Sequence, residues 1–500
     1  MSSLDNPVSA YFEVTPTQAT IVKNQTCQIK YSTISDGKVT FKSSAENIAT
    51  VDANGLVTAK TAGTAIITVE LAATPYYQGA TKNVEISVDA VLSIDATEVT
   101  VGYGASINLV KDYHLARKGE ATINYEIIEG GEFITLDETT KDITGKAFGN
   151  AKVKVSVPAS ATASSDELII DVKVRALNLA QMQDAIDNAT GDEVTVILGE
   201  AISMTSNYTL PDKKVTIVGD NTTFTTSSAF IIKNNLTLKD LKIDVTGTIQ
   251  LILLNSEGCT KKNQDVYTDA DQTGMSLLNA VSLENVMVKN LKNSLISNNS
   301  HAWALENLII KKSIIQLDET GKEFIKFNDN GANGNSIKNI LIQENTIYNI
   351  NTTSNAYFIR FKHSSSSIKT WGKRGDTKTA SQSFDISNNT LISTFKAQNF
   401  GNNTDNCDQV HVTMKGNIYY DVKNIDKFAQ GNCVKTIENN FYYGVAASSS
   451  ATTYMATLLE DAPFTAPTTA LDLTKKYGGL NLKTSGAAAG AGDPRWNEIN

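Results

Sequence analysis

The sequence predicts an all-β chain: two β-sandwiches, then a right-handed parallel β-helix that opens with a short capping helix. Three observations carry this. Six short stretches in the second half share one pattern: Leu251-Ile-Leu-Leu-Asn255, Leu295-Ile-Ser-Asn-Asn299, Phe324-Ile-Lys-Phe-Asn328, Phe358-Ile-Arg-Phe-Lys362, Phe395-Lys-Ala-Gln-Asn399 and Phe428-Ala-Gln-Gly-Asn432. Their successive starts lie 44, 29, 34, 37 and 33 residues apart. A second pattern, Leu/Ile-x-Asp/Asn-apolar-x-apolar, alternates with the first at 238–243, 283–288, 305–310 and 337–342. Two strand patterns recurring at such a period describe coils that cannot bury their apolar face alone and therefore stack. Third, residues 11–175 break into short alternating strands between turn signals, as sandwiches do. A helical solenoid is disfavoured, because the runs are short, rich in Ile, Val and Phe, and alternate with period two.

The first module spans residues 1–90. Its most specific stretch runs from Ile48 to Val69, where Asn54-Gly55 predicts a two-residue hairpin turn, both positions tolerating positive φ. Ala65, Ile67 and Val69 alternate with Ile66 and Thr68, as a half-buried strand should. The pattern Ile-Ala-x-Val-Asp-x-x-Gly-Leu-Val-x-Ala through Ala-Gly-Thr-Ala-x-Ile-x-Val closely resembles the bacterial immunoglobulin-like group 2 family over residues 14–90. That resemblance implies a β-sandwich common in surface and secreted bacterial proteins, where it serves as a spacer or adhesion module. Residues 91–175 read as a second, diverged immunoglobulin-like sandwich, with strands at Val99–Val101, Ile123–Tyr125, Lys152–Val155 and Leu168–Val174.

At 176 the character changes. Leu179, Met182, Ala185 and Ile186 fall on one helical face and Asp184, Asp187 and Asn188 on the other. An apolar strand, Val194–Leu198, follows. A short amphipathic helix leading into a strand suits the open end of a coil stack, which otherwise exposes apolar interior and unpaired edge groups. Leu179-Ala-Gln-Met-Gln-Asp-Ala-Ile186 and Gly191-Asp-Glu-Val-Thr-Val196 resemble the start of pectate-lyase-like parallel β-helix proteins, and the coil spacing over 194–445 agrees, within a β-helix read as 176–445. That superfamily includes lyases, hydrolases, epimerases and non-enzymatic adhesins, so the resemblance speaks to fold rather than activity. Residues 446–500 read as a tail packing on the last coils, with Trp496 turned back onto them. Its ending, Gly486 to Trp496, resembles the terminus of uncharacterised surface proteins of gut Bacteroidetes that join immunoglobulin-like and β-helix parts.

Composition narrows the function. A formal net charge of −9 over 500 residues gives no case for a nucleic-acid binder, and 41% apolar residues exclude general disorder. No stretch approaches the roughly 18 uninterrupted apolar residues of a membrane span. The amino terminus has no basic region followed by an apolar one. Taken literally that means a cytoplasmic protein. The domain content argues instead for the cell surface or the exterior, with the export signal and any lipid anchor lost, and for a monomer. Cys27, Cys259, Cys407 and Cys433 form neither a disulfide framework nor a CxxC metal site, and Cys407 and Cys433 read as buried thiols or as a pair across neighbouring coils.

Two asparagine columns, 255/299/328/399/432 and 345/389/417/440, predict amide ladders between coils about 4.8 Å apart. Asn also tolerates the left-handed backbone of sharp corners. A row of sugar-binding amides is the alternative.

The candidate site comes from position three of the first pattern, which reads Leu253, Ser297, Lys326, Arg360, Ala397 and Gln430. Alternation puts Ile325, Phe327, Ile359 and Phe361 inside and Phe324, Lys326, Phe358, Arg360 and Lys362 outside, because a buried unpaired cation is prohibitive. Lys326 and Arg360 then become stacked neighbours. Such a pair suits a carboxylate. In β-elimination of a uronic-acid polymer, one group neutralises the carboxylate while an uncharged base removes the acidified proton. Pectate-lyase-like enzymes use Lys or Arg for these tasks, often with Ca²⁺ held by carboxylates. The resemblance therefore implies Lys326 as base and Arg360 as clamp. Solvated surface residues, or pairs with Glu323 and Asp329, are the plain alternative. From Arg360 to Lys378 six Lys/Arg face one acid, Asp376, and this basic loop includes His363 and Trp371. With Lys362 and Asn328 these complete a candidate substrate-binding set.

A metal is unsupported: Asp265–Asp271 lacks the calcium-loop glycine and glutamate, and no HExxH appears, so no cofactor is expected. Asp318, Glu319 and Asp329 offer a paired-carboxylate hydrolase that nothing places about a bond. Two functions compete: a polysaccharide-engaging surface protein with lyase-type activity on acidic glycans, and a non-catalytic glycan-binding or adhesive protein.

Overall fold

The computed structural model describes residues 7–119, 121–159, 165–255, 276–298, 303–319, 321–328, 336–351, 357–362, 382–394, 397–399, 410–422, 434–444 and 456–497. The chain is all-β and divides into two compact units, Met1–Val174 and Arg175–Asn500.

The first unit holds two sandwiches. In one, a four-stranded sheet ordered Gln18–Val22, Ala80–Asp89, Gly63–Leu71, Val39–Ser43 shares a core with a three-stranded sheet of Thr26–Gln28, Leu56–Ala59 and Ala49–Val51. Ala65, Ile67 and Val69 are fully buried there, as their alternation required. The Asn54-Gly55 turn differs from expectation. Residues 52–55 form a four-residue connection in which only Gly55 has positive φ, at 79°. Asp52 caps it by accepting the Asn54 and Leu56 amides at 2.9 and 2.8 Å, so an acid two residues upstream decides the turn type.

The other sandwich pairs a four-stranded sheet (Glu98–Gly102, Asp166–Arg175, Gly149–Val157, Asn124–Glu129) with a three-stranded one (Ser106–Asn108, Asp142–Gly145, Ile134–Leu136). Asp166, its side chain 4% exposed, joins the two modules by accepting Lys23 Nζ at 2.5 Å, and within its own module it accepts the Leu92 amide at 3.2 Å.

The second unit begins with the helix Leu179–Asp187, capped by Asn178 Oδ1 accepting the Gln181 amide at 2.9 Å. It buries Met182, Ala185 and Ile186. Tyr208 donates to Asp187 at 2.9 Å, and burial together with that carboxylate pushes its phenol far above the ordinary value. A stack of parallel strands follows. Among the described residues its first sheet has nine strands, its second ten and its third seven, each strand pairing in parallel with the equivalent one of the next coil. The third sheet contains the first sequence pattern, at Ile252–Leu254, Ile296–Ser297, Ile325–Asn328, Tyr357–Lys362 and Ala397–Asn399. Ile325, Phe327 and Ile359 are 0% exposed.

The second pattern splits in two. Leu238–Ile243 and Leu283–Val288 are in register across the corner between first and second sheets. Residues 305–310 and 337–342 lie wholly inside long first-sheet strands, with Leu283 opposite Ile310 and Ile310 opposite Ile342. Strand Trp303–Lys311 has nine residues, and its corner comes only at Lys312.

From the second coil on, that corner is one left-handed residue per coil: Asn221, Asp240, Asn285, Lys312, Glu344, Asn388, Gly416 and Asn439, with φ from 49 to 66°. The ladder residue comes next in the chain. Asn345, Asn389 and Asn417 are each fully buried, Asn440 is 1% exposed, and their amides bond upward in turn at 3.0, 3.0 and 2.9 Å. The sequence reading joined two roles that adjacent residues divide: one makes the bend and the next makes the ladder. For Asn389 every capacity is filled, since Oδ1 accepts the Asn345 amide and side chain while Nδ2 donates to Asn417 and to the Ile342 carbonyl at 2.7 Å. Burial removes these amides from any sugar. Asn389→Ala is expected to cost about 2–3 kcal/mol by denaturant unfolding, less than the sum of its lost bonds because water can enter a polar cavity of that size.

The tail runs over the outer face of the second sheet. Phe464, Leu471, Leu473, Leu482 and Trp496 pack with Ile314, Tyr348, Ile392 and Ile418. Strands Ile314–Leu317, Thr346–Asn349 and Thr390–Ile392 are consequently buried at every position instead of every other one. Trp496, expected against the last coil, reaches the middle of the stack and donates to Thr346 Oγ1 at 2.8 Å.

Candidate functional site

Strand pairing brings Lys326 and Arg360 together as Cα partners on adjacent coils of the third sheet, with Asn328 opposite Lys362. The column expected from sequence continues backward through Ser297 to Leu253. Forward it breaks: a bulge puts Asn399, not Ala397, opposite Arg360. Local sequence explains the placement. Ile325 and Phe327 are inward anchors on either side of Lys326, and period two turns the lysine to the other face, where it is half-buried.

Phe324 and Phe358 depart from the alternation. They are 1% and 0% exposed and stack with ring centres 5.5 Å apart, 8° from parallel. Phe324 precedes its strand, where alternation fixes no side-chain direction, whereas Phe358 lies inside Tyr357–Lys362 and is buried beside Ile359, breaking the alternation there.

Lys326 forms no ion pair with any described carboxylate. Glu323, which sequence offered as its partner, is 9% exposed. Arg360 and Lys362 are described by their backbone positions. His363 and Trp371, with the rest of the basic loop to 378, lie outside the described residues, as do Asp329, Asp265–Asp271, Cys259, Cys407 and Cys433. Cys27 is a free thiol.

The paired-carboxylate alternative fares poorly at Asp318 and Glu319. Glu319 is 4% exposed and accepts the Gly321 and Lys322 amides at 2.5 and 2.6 Å, which makes it the cap of a turn. Asp318 stands 3.8 Å from Lys292 Nζ. Among the described residues no three His, Cys, Asp or Glu side chains gather as metal ligands, and no helix is long and apolar enough to cross a membrane.

Sequence reasoning missed one constellation altogether. Asp493 is fully buried on the second sheet, accepting from Thr346 Oγ1 at 2.8 Å and donating its amide to Thr390 Oγ1 at 3.0 Å. Arg495 forks onto Asp493 and also donates to the Lys312 and Ser313 carbonyls at 2.7 and 2.9 Å. The signal was present in Asp493-Pro-Arg-Trp496, an ion pair and an indole in a stretch otherwise made of Gly and Ala.

Residues 10–74 match the bacterial Ig-like domain (group 2) family model. No curated protein matches the chain in sequence. Among solved structures, surface layer protein SbsC, domains 1–6, is 19% identical over 30% of this chain and 23% of that one, with a TM-score of 0.13. A SusE-like surface-located polysaccharide-binding protein from the heparin utilisation locus of Bacteroides thetaiotaomicron is 14% identical over 34% of this chain and 35% of its own, with a TM-score of 0.19. Drosophila N-cadherin EC1-3 is 11% identical over 35% and 69%, with a TM-score of 0.16. The chain thus spans about a quarter of the SbsC fragment, and overlays this partial bear on no function.

Proposed function

We propose that this is a cell-surface or secreted protein that engages acidic polysaccharide along the third sheet of its coil stack. The immunoglobulin-like modules, residues 1–90 and 91–175, act as spacers to the β-helix of 176–445 and its tail, 446–500. The observation that carries the reading is the in-register placement of Lys326 beside Arg360, with no described carboxylate paired to Lys326. Backbone positions about 4.8 Å apart along a parallel sheet give Lys326 and Arg360 a spacing suited to bracketing one carboxylate or successive ones. The bacterial Ig-like match at residues 10–74 supports an exterior setting.

A lyase-type reaction is the second reading, favoured by a lysine that pairs with no described carboxylate. Arg360 would neutralise the uronate carboxylate, Lys326 as a neutral amine would take the C5 proton, and the C4–O bond would break as the double bond forms, the electron pair leaving with the oxygen.

Titration calorimetry against polygalacturonate and a sulfated glycosaminoglycan tests the binding. Arg360→Ala is expected to weaken it by roughly 1.5–3 kcal/mol, the worth of a charge-assisted hydrogen bond, and added salt to weaken it further. Ultraviolet absorbance of the unsaturated uronate tests the chemistry: in an enzyme, Lys326→Ala loses turnover and keeps binding. Absence of binding to every acidic polymer would refute the reading.

A further inference from the structure

A cleft of about 240 Å³ opens where the corner between first and second sheets meets the tail. Its floor is apolar, Met287 and Ile314 being Cα partners on successive coils. Its rim begins with Asn221, Asp240 and Asn285, the left-handed corner residues of three successive coils. Each has spare bonding capacity. Asn285 Nδ2 donates to Asp240 Oδ1 at 2.7 Å and Lys242 Nζ to Asn221 Oδ1 at 2.6 Å, which leaves Asn221 Nδ2 as donor and Asp240 Oδ2 and Asn285 Oδ1 as acceptors.

The wall is Tyr477, and its backbone is unusual. Tyr477 has φ 52° and ψ 29°, and it opens a left-handed turn continued by Gly478 and Gly479 at φ 67 and 76°. Glycine takes that conformation freely, whereas a bulky aromatic residue there is a strained outlier of the kind that clusters at functional sites. The ring is fixed edge-on against buried Trp496, with centres 5.6 Å apart at 81°, and Lys476, an exposed side chain, places its Nζ over the ring 4.7 Å from its centre.

An aromatic wall, an apolar floor and mixed amide and carboxylate groups at coil spacing are what a sugar ring needs, one face apolar and the edge hydroxylated. The volume is below the roughly 300–1,000 Å³ of drug-sized sites, so it suits one ring. The charged residues lining the cleft sum to zero, Asp220 and Asp240 against Lys242 and Arg495, with Asp220 held by Arg175 and Arg495 by Asp493.

We propose that this cleft binds a single neutral pyranose residue, stacked on the face of Tyr477 away from Lys476 and hydrogen-bonded by Asn221, Asp240 and Asn285. The site is separate from Lys326 and Arg360 and stands without them.

Saturation-transfer NMR on the full chain, with the methyl glycosides of glucose, galactose and mannose as probes, tests it. At least one glycoside should receive saturation on its ring protons. Tyr477→Asn relieves the backbone strain, so it should unfold at or above the wild-type midpoint while binding weakens by about tenfold or more. Asn221→Gly, which also keeps the left-handed bend, should weaken binding as well. Lys326→Ala should leave it unchanged. No transfer to any glycoside, transfer undiminished in both cleft variants, or transfer abolished by Lys326→Ala would each overturn the proposal, the last by assigning the signal to the third sheet.

Discussion

Truncation after Leu459 is expected to leave the coil stack unable to fold to a soluble, cooperatively melting state, although every described strand would still be present. The removed segment covers Ile314, Tyr348, Ile392 and Ile418, which are 0 to 1% exposed in the intact chain. Stripping it would turn one face of a parallel sheet into a contiguous apolar patch, a form that aggregates or recruits a partner. A milder version isolates the anchor. Trp496→Ala should cost about 3–5 kcal/mol through the cavity it leaves. Denaturant midpoints check the single variant, and sedimentation of the truncated chain checks the deletion. A monomeric truncated chain with an unchanged midpoint would show that the tail is decoration.

Phe327→Ala is expected to cost a similar amount, about 3–5 kcal/mol, because Phe327 is fully buried and its neighbours on the stack cannot collapse around a ring-sized void. Lys326→Ala, next to it on the same strand, should change stability by less than about 0.5 kcal/mol, as surface substitutions do. The contrast between adjacent residues tests the alternation itself. Equal losses would mean that the strand faces are misassigned.

The stack was legible in the sequence because each coil repeats one physical problem, a short apolar strand that needs a neighbour. Ile325, Phe327 and Ile359 follow from period two, and Asn345, Asn389, Asn417 and Asn440 follow from recurrence. Legibility failed where a residue's surroundings come from far along the chain. Nothing near Tyr348 says that both faces of its strand are covered, since the covering residues lie more than a hundred positions later. It failed also where two roles fall on adjacent residues, as at Glu344 and Asn345, since composition alone does not say which makes the bend. For the candidate site, sequence supplied the register of Lys326 and Arg360, a property of backbone repetition. It did not supply the cleft at Tyr477, whose lining comes from parts of the chain about 160 residues apart or more.

The Asp493–Arg495 anchor also bears on how such chains can change length over generations. Each coil carries its own bend and, in the later coils, its own ladder amide, so a whole coil duplicated or lost from the early part of the stack leaves its neighbours bonded as before. The anchor cannot tolerate this between Lys312 and Thr390. Arg495 spans the carbonyls of Lys312, Ser313 and Glu344, and Asp493 bridges Thr346 and Thr390, so together they measure three consecutive coils like a gauge. One coil inserted there would separate the two threonines by a further coil, about 4.8 Å, and break the bridge. The anchor therefore holds descendants of this chain to a fixed coil count across the gauge and sets no such limit ahead of residue 312.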